Sequence, residues 1–235
     1  MTRRTNATVA GSALLLYIAV GVTQMAALGD TTAGEGAAAQ LASMAQHSLG
    51  VRLDVVLGLL TCFFALILGV TFHAITREED PDLAMLALTC RVAEGVIGGL
   101  FLPLALGLLA VATATDVDAP EAGAANALGS LVLTARSWVP VIAASFFAVG
   151  STIFSWLLLR GRMIPTVLAW LGVVASVLLV VGLPLRLLGV LHGTVALLLW
   201  LPMAGFEIPL GLWLIIKGAA FRGDAVSAPS TAPAG

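Results

Sequence analysis

The most informative shortage in this sequence is charge. Only 10% of the 235 residues are charged, against about 25% in ordinary soluble domains, while 60% are hydrophobic and the mean hydropathy is +1.06. A soluble domain covers itself with polar groups, and 11 Lys plus Arg with 13 Asp plus Glu are too few to do so. These numbers exclude a water-soluble globule and predict that most of the surface faces lipid.

The chain also lacks the features of several site classes. Its net charge of -2 provides no basic field, so nucleic acid is not an expected partner. Cys62 and Cys90 lie in apolar runs without CxxC spacing, which argues against a disulfide framework or a thiolate metal site. The histidines His47, His73 and His192 fall at different depths, and there is no HExxH, glycine-rich phosphate loop or GxSxG motif. We therefore predict neither a metal nor a cofactor.

Six apolar runs are long enough to cross a bilayer core about 30 Å thick. They are Val9–Leu28, Leu49–Ile75, Leu83–Ala112, Leu131–Leu159, Ile164–Leu185 and Leu187–Ile216. Residues 29–46 and 113–129 are too polar to span and are predicted to be exposed loops or short surface helices. The sequence therefore predicts an all-α, polytopic membrane helix bundle of about six transmembrane helices. It forms one domain over residues 1–221, followed by a disordered tail over residues 222–235.

The basic residues predict the orientation of this bundle. With six spans, seven basic residues fall on the side of the N-terminus and three near the opposite ends of spans. The first group is Arg3, Arg4, Arg77, Arg160, Arg162, Lys217 and Arg222, and the second is Arg52, Arg136 and Arg186. Because basic residues are enriched in cytoplasmic segments, we expect both termini to be cytoplasmic, in a bacterial inner membrane.

Three charged residues lie deep inside predicted spans. Arg91 and Glu94 are three residues apart on one face of the third span, so they can form an ion pair. Glu94 lies about 16 Å from the cytoplasmic start of its span, and Glu207 about 15 Å from the corresponding end of the sixth. A charge at the bilayer centre costs at least about 2.5 kcal/mol, so such residues face inward. We predict that the three side chains converge in an intramembrane polar pocket, with a purely structural clasp as the alternative.

The surroundings of Glu207 favour a functional site. Pro202 and Pro209 flank the acid, and each proline removes a backbone donor from the helix. We expect the sixth helix to bend or break there, as helices do at many membrane binding sites. A simple proline kink is the alternative.

A second polar layer is predicted near the outer face of the membrane. Asp54 lies about 7 Å inside the second span and needs a partner, such as Arg52, Arg136 or Arg186. The predicted ligand-binding residues are Arg52, Asp54, Arg136, Arg186, His192, Trp200 and Phe206. Arginines near helix ends also snorkel to the interface without a specific role, which is the alternative for this layer.

Three segments together resemble a known family. They are Arg91-Val92-Ala93-Glu94-Gly95, then Arg160-Gly161-Arg162-Met163-Ile164-Pro165 with Leu168-Ala169-Trp170-Leu171-Gly172, and finally Phe206-Glu207 with Gly211-Leu212-Trp213-Leu214-Ile215-Ile216-Lys217-Gly218. In this order the chain resembles the bacterial membrane family called domain of unknown function 4386. The resemblance implies a compact helical membrane protein with a recurring R-x-x-E pair and a late acid. It implies no activity.

Three functions stay open at this point. The leading hypothesis is a pocket of Arg91, Glu94 and Glu207 that binds a lipid-like or isoprenoid-like molecule and acts on it by acid chemistry, as a cofactor-independent cyclase or isomerase does. A carboxyl group in hydrocarbon can stay protonated at neutral pH, and Glu207 is the expected acid because Arg91 would keep Glu94 ionised. The second is a proton-coupled transporter of a small solute, and the third is a structural or partner-binding subunit. Membrane lipid is an expected partner in each case, and the sequence predicts no oligomeric state.

Overall fold

The computed structural model describes residues 2–27, 34, 36–113 and 119–219. These residues form helices and turns, and none of them lies in a strand. The helices in chain order are α1 (Arg3–Ala27), α2 (Ala37–Gln46), α3 (Ser48–Thr76), α4 (Pro81–Thr113), α5 (Ala119–Arg160), α6 (Thr166–Leu187), α7 (Gly193–Leu198) and α8 (Leu201–Ile216). Six segments are long and apolar enough to cross a membrane, and α7 with α8 makes the sixth. The predicted all-α membrane protein with six spans is confirmed.

Local side chains and prolines set the starts of α4 and α6. The Asp80 carboxylate accepts the backbone N–H of Leu83 at 3.1 Å, and Pro81 occupies the first helical position, an arrangement that favours a helix start. Pro165 is extended, with ψ of 134°, directly before α6. The fifth span therefore begins at Thr166, two residues later than the predicted Ile164.

The prediction of an exposed loop or short surface helix for residues 113–129 missed that the second half is helical and continuous with the fourth span. Helix α5 already begins at Ala119 and runs for 42 residues to Arg160. Alanine is the strongest helix former, and its frequency over residues 119–127 outweighs the polar residues there. At about 1.5 Å per residue α5 is about 63 Å long, twice the thickness of a bilayer core. Residues 114–118 of the predicted connection lie outside the described residues.

The sixth span is interrupted, but only near one of its two prolines. Helix α7 ends at Leu198, and α8 starts at Leu201 with Pro202 in its first turn. Pro209 lies inside α8 without ending it. The expected interruption is therefore confirmed beside Pro202, whereas the helix does not break at Pro209 and a bend there stays a prediction. The span also begins later than the predicted Leu187, because that residue still belongs to α6.

The chain divides into two compact units, of which the first comprises Met1–Ser12, Gly69–Thr89 and Ala148–Gly235. Glycines bring its helices close together. A Cβ atom at Gly11 of α1 would lie 2.5 Å from the carbonyl oxygen of Gly211 in α8. A Cβ atom at Gly172 of α6 would lie 2.5 Å from the ring of Phe206. Small residues at such interfaces let membrane helices approach and pack without a side chain between them.

Two arginines hold the turn between α3 and α4 in the first unit. Arg3 Nη2 donates to the carbonyl oxygen of Ile75, near the end of α3, at 2.8 Å, and its Nη1 lies 3.6 Å from the Glu78 carboxylate. Arg160 Nη1 lies 3.6 Å from the carboxylate of Asp80. Basic groups near the last carbonyls of a helix are favourable, so Arg3 stabilises the end of α3.

The second unit comprises Ala13–Leu68 and Cys90–Phe147, and it contains α2. The prediction of an exposed loop or surface helix for residues 29–46 holds only in part, because one face of α2 is covered. Leu41 and Met44 are buried against Val51, Leu108 and Leu109. Residues 28–33 and 35 of that segment lie outside the described part of the chain, as does the tail predicted at residues 222–235. The single domain over residues 1–221 stays a prediction.

Candidate functional site

The strongest polar feature of the second unit is the ion pair of α4. Arg91 Nη1 lies 2.8 Å from Glu94 Oε2, and the side chains are only 4% and 7% exposed. Their i, i+3 spacing places both on one face of the helix. The predicted ion pair is confirmed, and both of its side chains are buried.

A tyrosine completes the coordination of the carboxylate. The hydroxyl of Tyr17 in α1 donates to Glu94 Oε1 at 2.8 Å. Sequence reasoning missed Tyr17, although it is the single tyrosine of the chain and lies in an apolar span. A buried tyrosine hydroxyl usually has a hydrogen-bond partner, and that rule was the available signal.

Aromatic rings surround the guanidinium. Arg91 Cζ lies 5.6 Å from the ring centroid of Tyr17 and 5.0 Å from that of Phe147 in α5. Cation–π contacts of this kind gain strength where water is excluded. Arg91, Glu94, Tyr17 and Phe147, here called the Arg91 cluster, thus join α1, α4 and α5 within the second unit.

The Arg91 cluster does not use all its hydrogen-bonding capacity within the described part of the chain. Arg91 Nε is buried there without a hydrogen-bond partner. Glu94 Oε2 is close to Arg91, but no donor is aligned with it in a hydrogen bond. Arg91 Nε therefore remains as a buried donor without a partner, where an unsatisfied polar group costs about 1–3 kcal/mol, whereas Glu94 Oε2 is held by the ion pair.

Asp54 forms a second polar group with Arg136 in the same unit. Arg136 Nη2 lies 3.4 Å from Asp54 Oδ2, so one of the predicted partners of Asp54 is confirmed. Gln24 Nε2 donates to Asp54 Oδ1 at 2.9 Å, and Thr61 donates to Gln24 Oε1 at 3.4 Å. These four residues are here called the Arg136 network. Arg52, in contrast, is exposed.

The remaining predicted site residues belong to the first unit. Glu207 is half-buried on α8, and Trp200 is half-buried between α7 and α8. Phe206 is buried, and its ring packs against Gly172. Arg186 and His192 are exposed. The predicted convergence of Glu207 with Arg91 joins residues of different units and stays a prediction.

The residues that the structure describes contain no candidate metal-binding cluster. No three His, Cys, Asp or Glu side chains come together there in a way that could hold an ion. The polar groups of the Arg91 cluster are a guanidinium, a hydroxyl and one carboxylate.

A protein-family model matches most of the chain. The family model described as "Domain of unknown function (DUF4386)" matches residues 9–218, which include the Arg91 cluster, the Arg136 network and Glu207. No curated protein and no solved structure matches the chain.

Proposed function

The chain belongs to the DUF4386 family, and from its buried polar clusters we propose that it binds a hydrophobic small molecule, lipid-like or isoprenoid-like, within the membrane. The observation that carries this proposal is the buried Arg91 cluster, whose donor Arg91 Nε has no hydrogen-bond partner among the described residues. A hydroxyl group of a ligand can accept from Arg91 Nε and donate to a second lone pair of the Glu94 carboxylate. The ring of Phe147 supplies an apolar contact beside it.

Binding can be tested with farnesol, an isoprenoid alcohol, on the full chain in maltoside detergent. Native mass spectrometry should show a farnesol complex, and Glu94→Gln should weaken it at least tenfold. Asp82→Asn is the matched control, because Asp82 is an exposed acid on the same helix. Each variant is first checked for a monodisperse elution profile. If the wild-type chain retains no farnesol, or if Glu94→Gln binds it equally well, the proposal is wrong.

We extend the proposal to acid chemistry at Glu207. A protonated carboxyl group gives its proton to one alkene carbon, which leaves a carbocation on the other, and the carboxylate then takes a proton from a carbon next to that cation, so the double bond moves. An isomerisation of this kind balances without a co-reactant. The half-buried position of Glu207 on a helix that begins at an interruption supports the assignment. Glu207→Gln should abolish isomerisation of a farnesyl chain, followed by gas chromatography. Unchanged conversion would remove Glu207 from this role.

Proton-coupled transport is the second candidate. Tyr17 and Gln24 are seven residues apart on α1, as are Asp54 and Thr61 on α3. Seven residues span about 10.5 Å, so the second unit carries polar groups at two depths. A transporter moves its solute past polar groups at successive depths of the membrane. If the chain is one, its solute flux in liposomes should depend on a pH gradient. Conversion of substrate in detergent without a gradient would favour the enzyme instead.

The proposed location is a bacterial inner membrane with both termini in the cytoplasm. The excess of basic residues on the N-terminal side supports this orientation. A fluorescent protein fused after Gly235 should fluoresce, and alkaline phosphatase fused at the same point should be inactive. The reverse pattern would place both termini outside the cytoplasm.

A further inference from the structure

A cavity of about 320 Å³ lies beside the Arg136 network in the second unit. Its walls come from α2, α4 and α5, and they are half apolar and half polar. The lining residues are Gln40, Phe101, Leu133, Arg136, Ser137 and Pro140. The volume falls at the small end of the range for ligand pockets, so it suits the polar end of an amphiphile and its first carbon atoms.

The guanidinium of Arg136 is held on two sides. Asp54 lies at one edge, with 3.4 Å between Nη2 and Oδ2, and the ring of Phe101 covers one face, 4.4 Å from Arg136 Cζ. Nη1 is buried without a hydrogen-bond partner among the described residues. Arg136 lines the cavity, so Nη1 is the charged donor nearest to a ligand oxygen bound there.

The other polar groups of the wall already donate hydrogen bonds. The Gln40 amide donates to the carbonyl oxygen of Gly34 at 3.3 Å. The Ser137 hydroxyl donates to the carbonyl oxygen of Thr134 at 2.7 Å. The single Ser137 hydrogen is thus used, whereas Arg136 Nη1 and the second N–H of the Gln40 amide can donate, so the wall favours a ligand that accepts hydrogen bonds.

Charge decides which acceptor fits. Arg136 is the charged residue of the six that line the cavity, and Asp54 balances it. A carboxylate in the cavity would leave one net negative charge in a partly buried site, which is costly. An ester or ketone oxygen accepts the same hydrogen bond and leaves the pair neutral.

We propose that the cavity at Arg136 binds an uncharged amphiphile through an ester or ketone oxygen and discriminates against the carboxylate of the same chain length. The inference rests on the proposed function for the premise that the chain binds hydrophobic molecules. It names the ligand class at a site separate from the Arg91 cluster.

A matched pair of probes tests the discrimination. Methyl laurate and laurate are titrated into the full chain in maltoside detergent at pH 8, and complexes are measured by native mass spectrometry. The wild-type chain should bind the ester at least tenfold more tightly than the carboxylate. Arg136→Gln should lose most ester binding, whereas Arg4→Gln, at an exposed arginine, should not.

Replacing the counter-charge supplies the sharper test. Asp54→Asn keeps an oxygen that accepts from Gln24 but leaves Arg136 with a net positive charge. The ratio of the affinity for the ester to the affinity for the carboxylate should then fall at least tenfold or invert. Equal binding of both probes by the wild-type chain, or an unchanged preference in Asp54→Asn, would overturn the inference. Farnesol binding that depends on Glu94 would in that case leave the proposed function standing, whereas loss of both would reject the two together.

Discussion

Removing one member of the Arg91–Glu94 pair should be more harmful than neutralising both. At 2.8 Å and an effective dielectric constant of about 20, the attraction between the two charges amounts to about 6 kcal/mol before desolvation is subtracted. Arg91→Met leaves the Glu94 carboxylate buried, with Tyr17 as its one remaining donor among the described residues. Breaking a buried pair in this way costs about 3–5 kcal/mol, while replacing both charged groups is often nearly neutral.

The measurement is a double-mutant cycle on folding stability. Arg91→Met, Glu94→Gln and the double variant are unfolded in mixed micelles by increasing SDS, and far-UV circular dichroism follows the loss of helix. We expect a coupling free energy of about 2–4 kcal/mol, so the double variant should be more stable than Arg91→Met alone. Arg77→Met is the control, because that arginine is exposed. A coupling below about 0.5 kcal/mol would refute the argument that these charges depend on each other.

Three further substitutions test contacts in the first unit by the same unfolding assay. Gly11→Ala should destabilise the chain by about 1–3 kcal/mol, because its Cβ would collide with the α8 backbone, whereas Gly21→Ala meets nothing within 4 Å and should not. Asp80→Ala should cost about 0.5–2 kcal/mol through loss of the α4 cap, and the exposed Asp82→Ala should have little effect. Arg3→Gln should lower the stability of the chain, because it removes the hydrogen bond to the Ile75 carbonyl at the end of α3. An equal loss of stability in Arg4→Gln, at the exposed neighbouring arginine, would show that this hydrogen bond is not the cause.

The six spans were predictable because bilayer thickness turns hydropathy and run length into a direct signal. The exact ends were less so. Pro165 moves the start of α6, and a run of alanines extends α5 beyond its apolar part, since both depend on backbone conformation rather than on apolarity. The burial of Leu41 and Met44 could not be predicted either, because several of the residues that cover them are distant in the sequence.

The candidate site was predictable where two residues share one helix. Arg91 and Glu94 are local neighbours, so their pairing follows from helical geometry alone. Tyr17 lies 77 residues away from Glu94, and Arg136 lies 82 residues away from Asp54. Helical periodicity cannot select such partners, although the cost of a lone polar group in hydrocarbon indicates that partners exist. For this reason the sequence left three arginines as possible partners of Asp54. The packing of the helices places Arg136 beside it.

The contact between Arg3 and Ile75 has a practical consequence for experiments on membrane insertion. Swapping positive charges at the N-terminus is the usual way to ask what directs a protein into its orientation. At Arg3 that swap would also release the last turn of α3, so a failed insertion and a misfolded product would look alike. Arg4 and Arg77 are exposed and are the cleaner positions for moving charge.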